Sequence, residues 1–72
     1  MSFEEAKEVL KNESEDFARI YRKHRELDKK ILELEERRFL TPDEELQEKR
    51  MKKDKLRLKD KMAEMIKAYQ TN

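Results

Sequence analysis

The chain has 72 residues, of which 51% are charged and 35% are hydrophobic, and its 19 basic and 18 acidic residues leave a formal net charge of +1. A chain this short forms at most one domain and buries only about 60% of its unfolded surface. It has no cysteine, which excludes disulfides and thiolate metal sites and fits a reducing compartment. No apolar run approaches about 18 residues, and the N-terminus lacks the pattern of a secretory signal. We therefore expect a cytoplasmic protein that does not span a membrane.

The balance of the charges favours folded helices over disorder. The chain has one proline and no glycine, and its Glu, Lys, Arg and Leu residues recur with helical periodicity. That combination is typical of long amphipathic helices and coiled coils. The predicted fold class is all-α.

The N-terminal segment begins with a capping box, because Ser2 is followed three residues later by Glu5. Apolar residues then follow at helical spacing, which predicts a short helix over residues 3–11: Phe3, Ala6 and Leu10. Asn12-Glu13-Ser14 interrupts this stripe. Because Asn12 and Ser14 are good N-cap residues, either a new helix starts there or one helix continues through a weak point.

The next segment carries a heptad seam whose positions are three and four residues apart: Phe17, Ile20, His24, Leu27, Ile31, Leu34 and Arg38. The residues between them are mostly charged. This pattern predicts a helix over residues 15–38, roughly 36 Å long.

A second helix start follows at Thr41-Pro42-Asp43-Glu44. Thr41 is a natural N-cap, Pro42 falls at the first helical position, and Glu44 completes a capping box with Thr41. Because proline disfavours helical backbone at the residue before it, the first long helix must end in a turn over residues 39–41. We predict a second long helix over residues 42–69, lying antiparallel to the first because the connection is short.

The second long helix has its own seam, again with positions three and four residues apart: Met51, Lys55, Leu58, Met62, Met65 and Tyr69. Pairing residues whose numbers sum to about 82 brings Ile31 to Met51, whereas Leu34 faces Glu48 or, with local drift, Leu46. The predicted architecture is an antiparallel two-helix coiled-coil-like hairpin with a short N-terminal helix, in a single domain of residues 1–72.

Several apolar residues lie off the two seams and form a candidate association surface: Tyr21, Leu32, Phe39 and Leu56. Scattered apolar residues are common on any protein surface. They can also mark a second interface, as in a homodimer or a larger bundle. We expect self-association, because a single seam buries little surface.

Few residues could carry chemistry. The only histidine, His24, is four residues from Asp28, but two ligands make a weak metal site. Ser2 and Ser14 are interpreted as helix caps, and without glycine no phosphate-binding loop can form. We predict no enzymatic activity, catalytic residue, cofactor, metal or small-molecule substrate.

The strongest charge feature is the segment from Lys49 to Lys61, with eight basic residues against Asp54 and Asp60. Six of these residues define the basic patch: Lys49, Arg50, Lys52, Lys53, Lys55 and Arg57. Such a patch could bind nucleic acid or an acidic partner, which we keep as the alternative function. The basic residues spread around much of the helix, however, and we favour a solvated helix face as the explanation for them.

Two longer motifs carry a family resemblance. One is Tyr21-Arg22-Lys23-His24-Arg25-Glu26-Leu27-Asp28, followed by Ile31, and the other is Met51-Lys52-Lys53-Asp54-Lys55-Leu56-Arg57-Leu58-Lys59-Asp60, followed by Met62. In this order and spacing they resemble the YdcH-like family of small bacterial proteins of unknown function. The resemblance covers about residues 17–66 and implies a helical hairpin. Lys61 departs from it, because the family often has Glu there.

The resemblance supplies no activity, but it directs attention to four candidate interaction or register residues: His24, Asp28, Lys59 and Asp60. In the predicted register Lys55 lies next to Asp28, so we expect an ion pair between them. We favour a role in fixing the register over a binding role. The predicted function is a protein–protein interaction or self-association module.

Overall fold

The computed structural model describes residues 1–71, so residue 72 of the predicted domain lies outside it. The described residues form three helices: α1 (Phe3–Glu13), α2 (Glu15–Glu35) and α3 (Pro42–Thr71). Residues 1–71 contain no strand, which confirms the predicted all-α class. The molecule is elongated, with extents of 47 × 19 × 16 Å.

Two serines delimit α1. The Ser2 hydroxyl accepts a hydrogen bond from the Glu5 N–H at 3.1 Å, and the Ser14 hydroxyl accepts one from the Phe17 N–H at 3.2 Å. Ser14 has extended backbone (φ −112°, ψ 114°), so the chain breaks there and α2 starts anew. The first helix extends to Glu13 instead of residue 11, because the Ser14 N–H still donates to the Leu10 carbonyl.

The connection between α2 and α3 begins earlier than predicted. Helix α2 ends at Glu35 instead of residue 38, and the Arg37 N–H donates to the Leu34 carbonyl in a tightened last turn. The capping box that starts α3 is present as predicted. The Glu44 N–H donates to the Thr41 hydroxyl at 3.1 Å, and the Thr41 N–H donates to the Glu44 carboxylate at 3.0 Å.

One buried cluster lies near this connection and joins α2 to α3. It consists of Ile31, Leu34 and Met51, with Leu27 and Leu40 packed against it. The predicted proximity of Ile31 and Met51 therefore holds. Leu34 is buried in this cluster, whereas Leu46 is 49% exposed.

Two ion pairs connect α2 to α3, and the residue that comes later in α2 pairs with the residue that comes earlier in α3. Asp28 pairs with Lys55, and Glu35, two turns later on α2, pairs with the earlier Lys52 at 3.1 Å. The predicted Asp28–Lys55 pair is thus confirmed.

The other buried cluster lies where all three helices meet. Its members are Ala6, Phe17, Met62 and Ile66. Ile66 is only 2% exposed, although the predicted seam passes through Met65 and Tyr69. The seam was too narrow, because α3 contacts α1 as well as α2 here and therefore buries a wider stripe.

Candidate functional site

A groove between α2 and α3 exposes two leucines side by side. We call it the leucine groove, and it is lined by Asp28, Ile31, Leu32, Glu35, Lys52, Lys55, Leu56 and Lys59. Its volume is about 410 Å³. Leu32 is 52% exposed and Leu56 is 58% exposed. These two leucines form the apolar centre of a charged surface.

A second groove continues from the first towards α1. We call it the histidine groove, and it is lined by Phe3, Lys7, Tyr21, His24, Arg25, Asp28, Lys59, Met62, Ala63 and Ile66. Its volume is about 350 Å³, and α1 supplies one wall through Phe3 and Lys7. Both grooves share Asp28 and Lys59. Together they form one continuous surface, which we call the open face, and α1 borders it at one end.

His24 lies in the histidine groove with a polar atom unsatisfied. Its Nε2 is buried and has no hydrogen-bond partner among residues 1–71. Burial lowers the pKa of His24 below its usual range, and the charges of Lys55 and Lys59 lower the pKa further, whereas Asp28 opposes them. The side chain is therefore held in its neutral form.

Asp28 lies at the junction of the two grooves. The hydrogen bond from Lys55 lowers the pKa of Asp28 below its usual range, so the carboxylate stays ionised. The structure thus brings together three of the four family-derived candidates, namely His24, Asp28 and Lys59. The fourth, Asp60, is exposed and is not part of the lining of either groove.

The candidate association surface is divided by the fold. Leu32 and Leu56 share the leucine groove. Tyr21, in contrast, is half-buried and packs against the cluster formed with α1, with the Lys11 ammonium 4.4 Å from its ring centre. Phe39 lies in the connection before α3 and is 85% exposed. Tyr21 still lines the histidine groove, so it shares the open face with the two leucines, whereas Phe39 is not part of the lining of either groove.

The basic patch is also divided. Lys52 pairs with Glu35 at 3.1 Å and with Glu48 at 3.2 Å, while Lys55 pairs with Asp28. The hydrogen bond to Glu35 raises the pKa of Lys52 above its usual range. The other four members are exposed and fall within an arc of about 100° around the helix: Lys49, Arg50, Lys53 and Arg57.

Sequence reasoning missed Phe3, Lys7 and Glu35 as members of the open face. Glu35 lies off the seam, and its pairing with Lys52 depends on how far α2 extends. No local pattern in residues 3–13 indicates where α1 packs, because docking depends on contacts distant in sequence. The amphipathic spacing of Ala6 and Leu10 was the available signal, since an apolar stripe has to be buried somewhere.

Within residues 1–71 no three histidine or carboxylate side chains are grouped so that they could hold a metal ion. No helix in the same range is long and apolar enough to cross a membrane.

The chain matches a known protein family over most of its length. Residues 17–66 match the model of a family described as "Protein of unknown function (DUF465)". No curated protein matches the chain, and no solved structure does. The matched range contains most of α2, the connection, most of α3 and both leucines of the leucine groove. The chain therefore belongs to the DUF465 family, the YdcH-like small bacterial proteins of unknown function.

Proposed function

We propose that this chain is a protein–protein interaction module. It is an antiparallel helical hairpin, braced at one end by α1, that binds a helix of another protein in the leucine groove. The observation that carries the proposal is the pair of exposed leucines, Leu32 and Leu56, on adjoining sides of one groove. Helix-in-groove binding uses an apolar centre of this kind with a charged rim.

The position of α1 supports this interpretation. It packs against both α2 and α3 with Ala6 and Leu10 and completes a three-helix cluster around Phe17 and Ile66. The leucine groove continues the same surface beyond the wall that Phe3 and Lys7 form. One end of the hairpin is thus covered by a third helix, whereas the leucine groove is a similar surface between α2 and α3 that no third helix of residues 1–71 covers.

A second copy of the chain fits this face less well. With a two-fold axis along the helices, α2 of each copy lies over α3 of the other, but the two α1 helices meet at the same level and hold the grooves apart. With the axis across the helices and centred on the two leucines, the α1 helices are separated, but Asp28 of one copy faces Glu35 of the other, and Lys52 faces Lys59. Juxtaposed like charges oppose association. The homodimer expected from the sequence stays a prediction, which sedimentation tests.

The experiment uses three immobilised baits: the native chain, Leu56→Glu and Leu46→Glu. Leu46 is the matched control, because it is also a half-exposed leucine of α3 but is not part of the lining of the grooves. Proteins captured from the source cell are identified, purified and titrated against each variant by calorimetry. We expect a protein that binds the native chain and Leu46→Glu alike and binds Leu56→Glu at least about tenfold more weakly. A partner insensitive to Leu56→Glu, or no partner, contradicts the proposal.

A second candidate function, nucleic-acid binding, is favoured by one observation. Lys49, Arg50, Lys53 and Arg57 share the outer side of α3, which suits contact with a phosphate backbone better than basic residues dispersed around the helix. This function requires affinity for DNA or RNA that falls steeply with salt and is lost when the four residues become alanine. The matched control changes Lys52 and Lys55, the paired members of the patch. Absence of binding at low salt removes this candidate.

A further inference from the structure

We infer that the helix bound in the leucine groove is acidic as well as amphipathic. This inference rests on the proposed function and specifies the chemistry of the partner. The partner presents leucine-like side chains to Leu32 and Leu56 and carboxylates to the basic residues around them.

The charge of the open face is the first argument. Five basic side chains and only two acidic ones line it: Lys7, Arg25, Lys52, Lys55 and Lys59, against Asp28 and Glu35. Both acidic side chains are already paired, Asp28 with Lys55 and Glu35 with Lys52. Within residues 1–71 neither Arg25 nor Lys59 pairs with a carboxylate. The face therefore offers positive charge that an acidic partner would neutralise.

The chain's own α1 is the second argument. It borders the same face, and it is an acidic amphipathic helix with four glutamates against two lysines over residues 3–13. Its apolar side chains Ala6 and Leu10 face the cluster around Phe17 and Ile66. Its first turn carries Glu4 and Glu5. The hairpin thus already accommodates one amphipathic helix that is acidic in composition, although within residues 1–71 it holds this helix through apolar contacts and not through ion pairs with its glutamates.

The length of the open stretch sets the length of the partner helix. From Arg25 to Glu35 the α2 side of the face extends about 15 Å, or roughly three helical turns. A partner of that length places apolar side chains at positions i, i+3 or i+4, and i+7 against the leucines. A synthetic probe needs to be somewhat longer, because helices shorter than about 12–15 residues are marginal in water.

The test uses two designed peptides of about 18 residues with the same leucines at helical spacing. One carries glutamate at most polar positions and the other carries lysine, and circular dichroism verifies equal helicity. Each is titrated into the ¹⁵N-labelled full chain, with the amide shifts of Leu32 and Leu56 as the readout. We expect the glutamate peptide to bind at least about tenfold more tightly than the lysine peptide, and we expect its affinity to decrease with added salt.

Variants complete the test. Leu56→Glu is expected to abolish binding of the glutamate peptide, Leu46→Glu to leave it unchanged, and Arg25→Glu with Lys59→Glu to shift preference towards the lysine peptide. Equal binding of both peptides, or binding of neither, overturns the inference. Failure of this inference is distinguishable from failure of the proposed function. A captured partner that depends on Leu56 but binds through a basic or neutral helix would contradict the inferred acidic partner and leave the proposed interaction module intact.

Discussion

Lys55 of α3 holds the carboxylate of Asp28 on α2 at the point where the leucine groove and the histidine groove join. The pair bridges two helices across 27 positions of sequence. It lies close enough to His24 for both charges to influence that imidazole, in opposite directions. His24, Asp28 and Lys55, which all belong to the two sequence motifs, therefore interact electrostatically in the folded chain.

The first prediction concerns the pKa of His24. As the chain's only histidine, it gives a single set of imidazole resonances in an NMR titration. We expect a pKa below the usual range in the native chain, an increase in Lys55→Met and a further decrease in Asp28→Asn, because Lys55 disfavours the imidazolium and Asp28 favours it. Lys53→Met, on the outer side of α3, is the control. An unchanged pKa in Lys55→Met contradicts the arrangement described for these residues.

The second prediction concerns stability against pH. In an unfolded chain histidine has a pKa of about 6.5, and His24 has a lower pKa when folded, so the unfolded state takes up the proton first as pH falls. The contribution of His24 to the free energy of unfolding is therefore fully present above about pH 6.5. It decreases as the pH falls from there to the folded-state pKa.

Urea unfolding at about pH 7.5 and about pH 5.5 measures this decrease. In His24→Leu the decrease between these pH values is expected to disappear. The variant is also expected to be more stable at the higher pH by roughly 1 kcal/mol, since it removes the unsatisfied Nε2. Asp28 does not contribute, because the hydrogen bond from Lys55 lowers the pKa of its carboxyl, so the carboxylate stays ionised across this pH interval. A decrease of equal size in both chains contradicts the assignment to His24.

The third prediction concerns the start of α3. Thr41 and Glu44 satisfy each other's backbone N–H groups, so Thr41→Ala is expected to lower the free energy of unfolding by about 1 kcal/mol. Thr41→Ser keeps the hydroxyl and is expected to retain most of the stability. Chemical denaturation compares the two variants. Equal losses in both would show that the hydroxyl does not act as the cap.

The fourth prediction separates core from groove. Ile66 is almost fully buried, so Ile66→Val is expected to cost about 0.5–1.5 kcal/mol of unfolding free energy. Leu56→Ala removes more atoms, but from an exposed position, and is expected to change the free energy of unfolding by no more than about 0.5 kcal/mol. Denaturation of both variants tests the comparison. A larger loss in Leu56→Ala would place Leu56 in the core and remove it as a free binding residue.

Local sequence signals predicted much of the fold. The Ser2 cap, which accepts from the Glu5 N–H, and the reciprocal capping box of Thr41 with Glu44 are present, because each is set by residues three positions apart. The break at Ser14, which the sequence left open, is also a local cap. The proximity of Ile31 and Met51 followed from two seams joined by a short connection.

The position of α1 could not be predicted, and the differences at Tyr21 and Ile66 follow from it. Tyr21 was assigned to the outer surface because it lies off the heptad seam; it lines the histidine groove, but it also packs against the cluster formed with α1, and Lys11 lies over its ring. Ile66 was left out of the predicted seam because its burial depends on contact with α1, which the heptad spacing does not contain. The continuity of the leucine and histidine grooves depends on the register of α2 and α3 and on α1 together, which no single periodic pattern contains.

The most direct test of the central claim measures whether a partner covers the leucine groove in the cell. The chain has no cysteine, so Leu56→Cys and Leu46→Cys each introduce a single thiol at a similarly exposed leucine position. A membrane-permeant maleimide labels both variants, purified and inside the source cell. We predict that labelling of Leu56→Cys in the cell slows by about tenfold relative to Leu46→Cys, as expected for a partner present at about ten times its dissociation constant. The same ratio of labelling rates in the cell and in the purified protein would contradict the claim that this groove is a binding surface.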